Sequence, residues 1–243
     1  MIFGGMLGIK RGWRRIRSWR KAFWHVIFDR CRVSYSQFSE DIILYDFMAE
    51  RLQDPSYRGF WVDIGAHDPV RYSNTKIFSD MGWCGINVDA MPEAIEKFKS
   101  CRKRDINLNV GVGSVDGELP YYMFPDHAIN TFDKAIADKQ PGLKGVRNIK
   151  MLTLEHVLDK YLPAGRHIDF LTIDAEGFDF KILQSNNWEK YRPDFVLVEV
   201  HGEDRAAILN SEIARYMDKT GYTFVAQSLL TMFFRRTRIG RKH

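Results

Sequence analysis

Five short stretches of this 243-residue chain carry side chains suited to holding a polar ligand or moving a proton. They are Asp63-Ile64-Gly65-Ala66-His67, Asp89-Ala90, Asn109-Val110-Gly111-Val112, Asp174-Ala175-Glu176-Gly177 and Glu199-Val200-His201. A carboxylate accepts hydrogen bonds from hydroxyl groups or balances a cation, and an imidazole titrates unperturbed at about 6.5, close to neutral pH. Asp174, Glu176, Glu199 and His201 are therefore candidate catalytic residues, with His201 the first choice as base. Asp174, Glu199 and His201 equally offer oxygen and nitrogen ligands for a divalent cation such as Mg²⁺. Glu176 also fits simple capping of the helix that follows it, and His67 fits a loop histidine bonded to backbone.

The elements that must position these residues follow from the apolar runs that precede them. Runs at 60–64, 85–90, 106–112, 168–173 and 195–200 read as strands, and the stretches at 72–82, 93–102, 153–162, 178–185 and 204–219 have helical periodicity. Alternation of this kind gives an α/β fold with a doubly wound, mostly parallel sheet. Two closing strands, 222–226 and 231–235, add an antiparallel hairpin edge. Ligands bind such sheets at the carboxyl ends of the strands, and all five stretches fall there.

Two segments lie outside the alternation. Residues 118–124 read as an added strand, and 125–148 as a long polar loop with a short helix after Asn130-Thr131-Phe132. Loops of that length within a compact domain usually serve as lids or substrate loops. Ahead of the first strand, Ser36 precedes a helix from about 39 to 52, where Gln37, Glu40 and Asp41 fit capping and solvation.

The first loop chooses between cofactors. Asp63-x-Gly65-x-His67 lacks the three glycines that let a helix amino terminus approach a pyrophosphate, and its acid would repel one. A cationic sulfonium with an α-amino group suits Asp63 better, while Asp89 can accept from ribose hydroxyls. Charge thus favours S-adenosylmethionine over NAD. A nicotinamide-dependent oxidoreductase with an atypical loop is the alternative. Arg71, Lys76 and Arg147 offer either a grip on an anionic acceptor or ordinary surface charge.

Charge is distributed unevenly. Residues 1–33 carry nine Lys/Arg and one acid, residues 231–243 carry five more and no acid, and the body between them is acidic. Residues 10–28 place Trp13, Ile16, Phe23, Trp24 and Ile27 near one helical face, a basic amphipathic helix. Such a helix packs on the body, exposes a solvated face, or lies on an anionic membrane; nucleic acid is the weaker fit, and a non-catalytic module using the basic ends is a further alternative. The expected organisation is an extension at 1–33, a catalytic domain at 34–235 and a basic tail at 236–243. Cys31, Cys84 and Cys101 have neither disulfide nor zinc spacing, which points to a reducing, cytoplasmic compartment, with peripheral attachment at the inner membrane face through the basic helix. No run reaches the roughly 18 to 20 apolar residues that span a bilayer.

Taken together, Ser36-Gln37-x-x-Glu40-Asp41, Gly59-Phe60-Trp61-Val62-Asp63-Ile64-Gly65-Ala66-His67-Asp68-Pro69-Val70-Arg71-Tyr72-Ser73-Asn74-Thr75, Gly82-Trp83-x-Gly85-Ile86-Asn87-Val88-Asp89-Ala90, Asn107-Leu108-Asn109-Val110-Gly111-Val112, Asn130-Thr131-Phe132-Asp133, Asp169-Phe170-Leu171-x-Ile173-Asp174-x-Glu176-Gly177 and Arg192-Pro193 resemble the FkbM-type methyltransferases. The resemblance runs from about Ser36 to Gly202. It implies a class I methyltransferase fold, S-adenosylmethionine as donor, and for many members a sugar or natural-product hydroxyl as acceptor. Cofactor contacts are then implied at Asp63, Gly65, Ala66, His67, Asp89, Ala90, Met91, Asn109, Gly111, Val112 and Asp174. Gln37, Glu40, Asp41 and Asn130 become candidates for the acceptor side. The acceptor expected is a saccharide, glycolipid or other small molecule, and the basic ends lie outside the resemblance.

Overall fold

Strand β1 is Phe60–Ile64, and every residue in it is buried. A strand turns successive side chains to opposite faces. Here Phe60, Val62 and Ile64 enter one apolar cluster and Trp61 enters another. A run apolar at consecutive positions therefore means a strand covered on both sides. The computed structural model describes residues 32–126, 129–202 and 204–237. The chain divides into two units, Met1–Ser34 and Tyr35–His243. The basic helix expected within 10–28 and the tail beyond Thr237 lie outside the described residues.

Strands β2 (Cys84–Asp89), β3 (Ile106–Asn109), β7 (Phe170–Ile173) and β8 (Phe195–Glu199) run parallel to β1, in the order β3-β2-β1-β7-β8. The edge is completed by β10 (Thr231–Arg236), antiparallel to β8, and then β9 (Tyr222–Ser228), antiparallel to β10. The doubly wound, mostly parallel sheet with an antiparallel hairpin edge is thus the fold the alternation implied.

The helices are α1 (Glu40–Phe47), α2 (Ala49–Leu52), α3 (Lys76–Asp80), α4 (Pro92–Cys101), α5 (Lys134–Ala137), α6 (Leu154–Tyr161), α7 (Asp179–Gln184), α8 (Arg205–Leu209) and α9 (Glu212–Lys219). On one face, Val157 and Leu158 of α6, Ile182 and Leu183 of α7 and Met217 of α9 pack with Val62, Val196 and Val198. On the other, Leu44 of α1 and Phe78 of α3 pack with Trp61, Phe170 and Phe233. Each fully buried side chain of this kind contributes about 1.5–3 kcal/mol.

Several boundaries differ from the sequence pattern. The run 106–112 breaks at Val110: β3 stays in the main sheet, while β4 (Gly111–Val112) pairs with β6 (Gly145–Leu152) in a second sheet of order β4-β6-β5, with β5 at Gly117–Met123. The second sheet takes residues 145–148 out of the expected loop, because Gly145, Val146, Arg147 and Asn148 pair with Met123, Tyr122, Tyr121 and Pro120. The helix expected over 39–52 breaks at Met48, and Ser36 does not cap it. Ser39 holds the N-cap position, and the Ser36 Oγ reaches the first turn from outside it, accepting from the Asp41 N–H at 3.2 Å and donating to the Asp41 carboxylate at 2.8 Å. The expected 204–219 helix divides at Asn210, where Ser211 caps α9 by accepting from the Ala214 N–H at 3.1 Å.

Candidate functional site

At the carboxyl ends of β1, β2, β7 and β8 the loops enclose a cavity of about 480 Å³. That volume lies within the range of about 300–1,000 Å³ common for small-molecule sites. Of the residues singled out from sequence, Gly65, His67, Asp89, Ala90, Met91, Gly111, Val112, Asp174, Glu176, Glu199, His201, Gln37, Glu40 and Asn130 line it.

Four do not reach the wall, and each has a physical reason. Asp63 alternates onto the Trp61 face of β1 and is 6% exposed. Its Oδ2 lies 3.5 Å from the Thr75 hydroxyl that donates to it. Burial, opposed by the nearby Arg102 guanidinium, pushes its pKa up to about 7. The expected direct contact of Asp63 with a sulfonium is thus replaced by a place beneath the loop. Ala66 is turned inward, with its N–H, like that of Gly65, donating to the Val88 carbonyl at 3.1 and 2.9 Å. Asn109 uses its Nδ2 to hold the carbonyls of Asp89 and Ala90, at 3.0 and 2.9 Å. Asp41 is fully buried and accepts from the N–H groups of Tyr35 and Ile42 at 2.7 and 2.9 Å, so it braces the entry of α1.

On the β2 side, Asp89 accepts from His67 N–H at 2.8 Å through Oδ2 and from Met91 N–H at 2.7 Å through Oδ1. This fixes the carboxylate at the end of β2, facing the cavity. Beside it, Ala90, Met91, Ala94, Tyr121 and Ile149 form a separate apolar cluster, with the Phe132 ring tilted against Tyr121 at a centroid distance of 4.5 Å. A carboxylate next to an apolar slot fits a nucleoside. Phosphate binding has little to work with here, because the Gly65 and Ala66 N–H groups are already spent on Val88. Gly65 itself is required: its φ is +82°, and a Cβ there would stand 1.8 Å from the Asp174 carbonyl oxygen.

Beyond β1, the carboxylates of Asp174, Glu176 and Glu199 each offer an oxygen within 4.8 Å of the others. Glu176 has φ +46°, and the loop holding it is pinned by Asp179, whose two oxygens accept from Ala175 N–H at 3.0 Å and Gly177 N–H at 3.1 Å. The Thr131 hydroxyl ties the 125–133 segment to the same loop by donating to the Glu176 carbonyl at 2.8 Å. Asp174 is open to the cavity yet enclosed by protein elsewhere; desolvation first, then Glu199 and Asp179, push its pKa well above the usual carboxylate range. Desolvation, with Glu199 and Asp179, pushes Glu176 up to about 7. His201 Nε2 lies 3.1 Å from Glu199 Oε2, and that carboxylate raises the imidazole pKa. Of the expected metal ligands, Asp174 and Glu199 are together, but Glu176 takes the place assigned to His201. A second carboxylate-histidine group, His167, Asp169 and Asp194, already holds the Arg51 guanidinium, 2.6 Å from Asp169.

Sequence reasoning missed Asp179, Thr131 and Tyr121. Asp179 had a legible signal, an acid in the first turn of α7 five residues after Asp174; Thr131 and Tyr121 act through a sheet pairing that no local pattern shows.

The FkbM methyltransferase domain model matches residues 63–224. Among solved structures, a methyltransferase FkbM from Methylobacillus flagellatus KT is similar at 13% identity and a TM-score of 0.43, over 75% of this chain and 46% of that one. The chain therefore spans about half the length of that protein. A 1,6-didemethyltoxoflavin-N1-methyltransferase from Burkholderia thailandensis, solved with 1,6-didemethyltoxoflavin and S-adenosylhomocysteine, is similar at 16% identity and a TM-score of 0.39, over 92% and 88% of the two chains. At these scores neither likeness bears on ligand or acceptor. No curated protein matches the chain significantly. With the domain match running from the end of β1 through the Asp89 side of the cavity and the acidic loop to residue 224, two thirds of the chain, the chain belongs to the FkbM family of S-adenosylmethionine-dependent methyltransferases.

Proposed function

We propose that this protein transfers a methyl group from S-adenosylmethionine to a hydroxyl of a saccharide, glycolipid or related natural product. The observation that carries the reading is the acid-histidine group facing the cavity across β1 from Asp89. The cofactor, when bound, supplies a methyl carbon already activated by its sulfonium. What remains for the chain is alignment and proton removal. Asp89 and the slot of Ala90, Met91 and Tyr121 would hold the nucleoside. His201, oriented by Glu199, would take the acceptor hydroxyl proton, and Glu176, with a pKa about 7, is the carboxylate partner able to do the same near neutrality. Gln37 and Glu40 stand on the wall where an acceptor would enter.

A divalent cation such as Mg²⁺ held by Asp174, Glu176 and Glu199 is a second reading, favoured by one oxygen of each lying within 4.8 Å of the others. It would lower the acceptor hydroxyl pKa. Addition of Mg²⁺ after chelation should then restore transfer, and unchanged rates with chelator exclude it. The nicotinamide alternative finds no support in the loop, whose N–H groups are spent internally. The basic 1–33 segment supports placement at an anionic membrane surface, and no helix among the described residues is long and apolar enough to cross a membrane. Flotation with anionic vesicles, compared with and without residues 1–33, tests that placement.

The deciding experiment is calorimetric titration of the full chain with S-adenosylhomocysteine, followed by incubation of cell-envelope saccharide and lipid extracts with methyl-labelled S-adenosylmethionine. Binding and label on a hydroxyl oxygen support the reading. A folded sample that binds no S-adenosylhomocysteine overturns it, and label on nitrogen alone overturns the acceptor assignment.

A further inference from the structure

We propose that Arg71 is an oxyanion-binding residue at the mouth of the cavity, taking a carboxylate or phosphate of a ligand held there; the inference rests on the methyltransferase reading above. Arg71 and Tyr72 both line the cavity, and Tyr72 is 41% exposed. The guanidinium carbon sits 4.4 Å from the Tyr72 ring centroid, and Nη2 donates to the Tyr72 hydroxyl at 3.0 Å. These two contacts hold the fork in one orientation. Tyr72 in turn stacks on His67, with ring centroids 6.3 Å apart and planes 19° apart. Both aromatic residues have left-handed backbones, φ +59° and +53°. Such conformations are strained for non-glycine residues and persist where the surroundings impose them, often at ligand clamps.

The other cations on the cavity wall are engaged. Lys97 Nζ pairs with Asp68 at 2.9 Å, and His201 faces Glu199 at 3.1 Å. Asp68 also accepts from the N–H groups of Val70 and Arg71, each at 3.0 Å. Among the described residues Arg71 makes no ion pair, although its pKa is raised by the Tyr72 hydroxyl first and then by the nearby Asp126 and Asp68 carboxylates. Of the two other cations raised by the sequence, Lys76 pairs with Asp80 and lies 4.9 Å from the Tyr35 ring centroid, and Arg147 stands exposed on β6 away from the cavity wall. A pre-oriented, unpaired guanidinium takes a carboxylate or phosphate through two parallel hydrogen bonds. Two sources of that chemistry fit the site: the methionine carboxylate of the cofactor, and an acidic or phosphorylated substituent on the acceptor.

The test compares wild type with Arg71→Ala, Arg71→Lys and Tyr72→Phe by calorimetry, using S-adenosylhomocysteine, its decarboxylated analogue, and inorganic pyrophosphate added to S-adenosylhomocysteine-saturated protein. Because Arg71 is exposed, Tm should not change. If the cofactor carboxylate is the ligand, Arg71→Ala weakens S-adenosylhomocysteine about tenfold and leaves the decarboxylated analogue unaffected. If the acceptor supplies the oxyanion, S-adenosylhomocysteine binding is retained while pyrophosphate binding, present in wild type, is lost in Arg71→Ala. In either case Arg71→Lys and Tyr72→Phe fall between wild type and Arg71→Ala. Unchanged binding of both ligands in Arg71→Ala, or a wild type that binds S-adenosylhomocysteine independently of Arg71 and no pyrophosphate, overturns the proposal. A wild type that binds no S-adenosylhomocysteine is a different failure, that of the methyltransferase reading, and removes this proposal with it.

Discussion

Substituting Gly65 by alanine tests the loop at the centre of the site, and the cost can be worked from two separate contributions. Gly65 has φ +82°, a left-handed conformation that costs a non-glycine residue about 1–2 kcal/mol. In addition, the new Cβ would stand 1.8 Å from the Asp174 carbonyl oxygen and 2.8 Å from its carbon. Backbone cannot swing aside as a flexible side chain does, so overpacking of about 1–3 kcal/mol is added. The total is about 2–5 kcal/mol, a large part of the roughly 5–15 kcal/mol that holds a domain folded. Gly142 has the same φ, +82°, with nothing within 4 Å of its would-be Cβ. Gly142→Ala therefore carries the conformational cost alone, and the difference between the two variants isolates the clash. Thermal denaturation is the assay: each kcal/mol lowers Tm by about 2–4 °C in a domain of this size. Gly65→Ala should melt about 4–20 °C below wild type, should melt below Gly142→Ala, and should lose affinity for S-adenosylhomocysteine because Asp174 is displaced. Equal Tm values for the two alanine variants would refute the contact between the β1 loop and the Asp174 backbone.

Other outcomes follow from the same geometry. Asp179→Asn replaces an oxygen that accepts from Ala175 or Gly177 with a donor facing a donor, and should cost about 2–3 kcal/mol in urea denaturation while lowering the pKa of Glu176, since Asp179 is one of the charges that raise it. Arg51→Ala leaves the buried Asp169 and the neighbouring Asp194 without their shared cation and, since Arg51 is itself partly exposed and His167 still meets Asp194, should destabilise by about 1.5–3 kcal/mol, with S-adenosylhomocysteine affinity unchanged because the pair lies away from the cavity. The raised pKa values of Glu176 and His201 set opposite pH trends for stability and activity. Each group binds its proton more tightly when folded, so its stabilisation is complete below its unfolded pKa and is lost as pH rises through the folded value. For Glu176 that window runs from 4.5 to about 7. Methyl transfer needs a free base, so its rate should instead fall as pH drops below about 7; a rate independent of pH from 6 to 8 removes both residues as the base.

Much of this protein was legible in one dimension because its causes are local. Apolar runs of four to six residues alternating with amphipathic helices dictate a parallel sheet, and a parallel sheet places its loops, and hence Asp89, Asp174 and Glu199, at one end. The glycine deficit after β1 argued against phosphate, and the structure supplies the reason in the Val88 carbonyl that consumes both loop N–H groups. What only the tertiary structure decided depends on which face a side chain takes and on pairings distant in sequence. Asp63 follows the pleat to the Trp61 face and leaves the cavity. Asp41 turns inward to brace α1, residues 145–148 become strand by meeting Pro120–Met123, and Glu176 joins Asp174 and Glu199 in one group while His201 meets Glu199 from beside it. Likewise, the sequence could offer Arg71, Lys76 and Arg147 only as equals. Their separation into a free guanidinium on Tyr72, a lysine paired with Asp80 and an arginine away from the cavity is a consequence of packing, which composition and spacing do not encode.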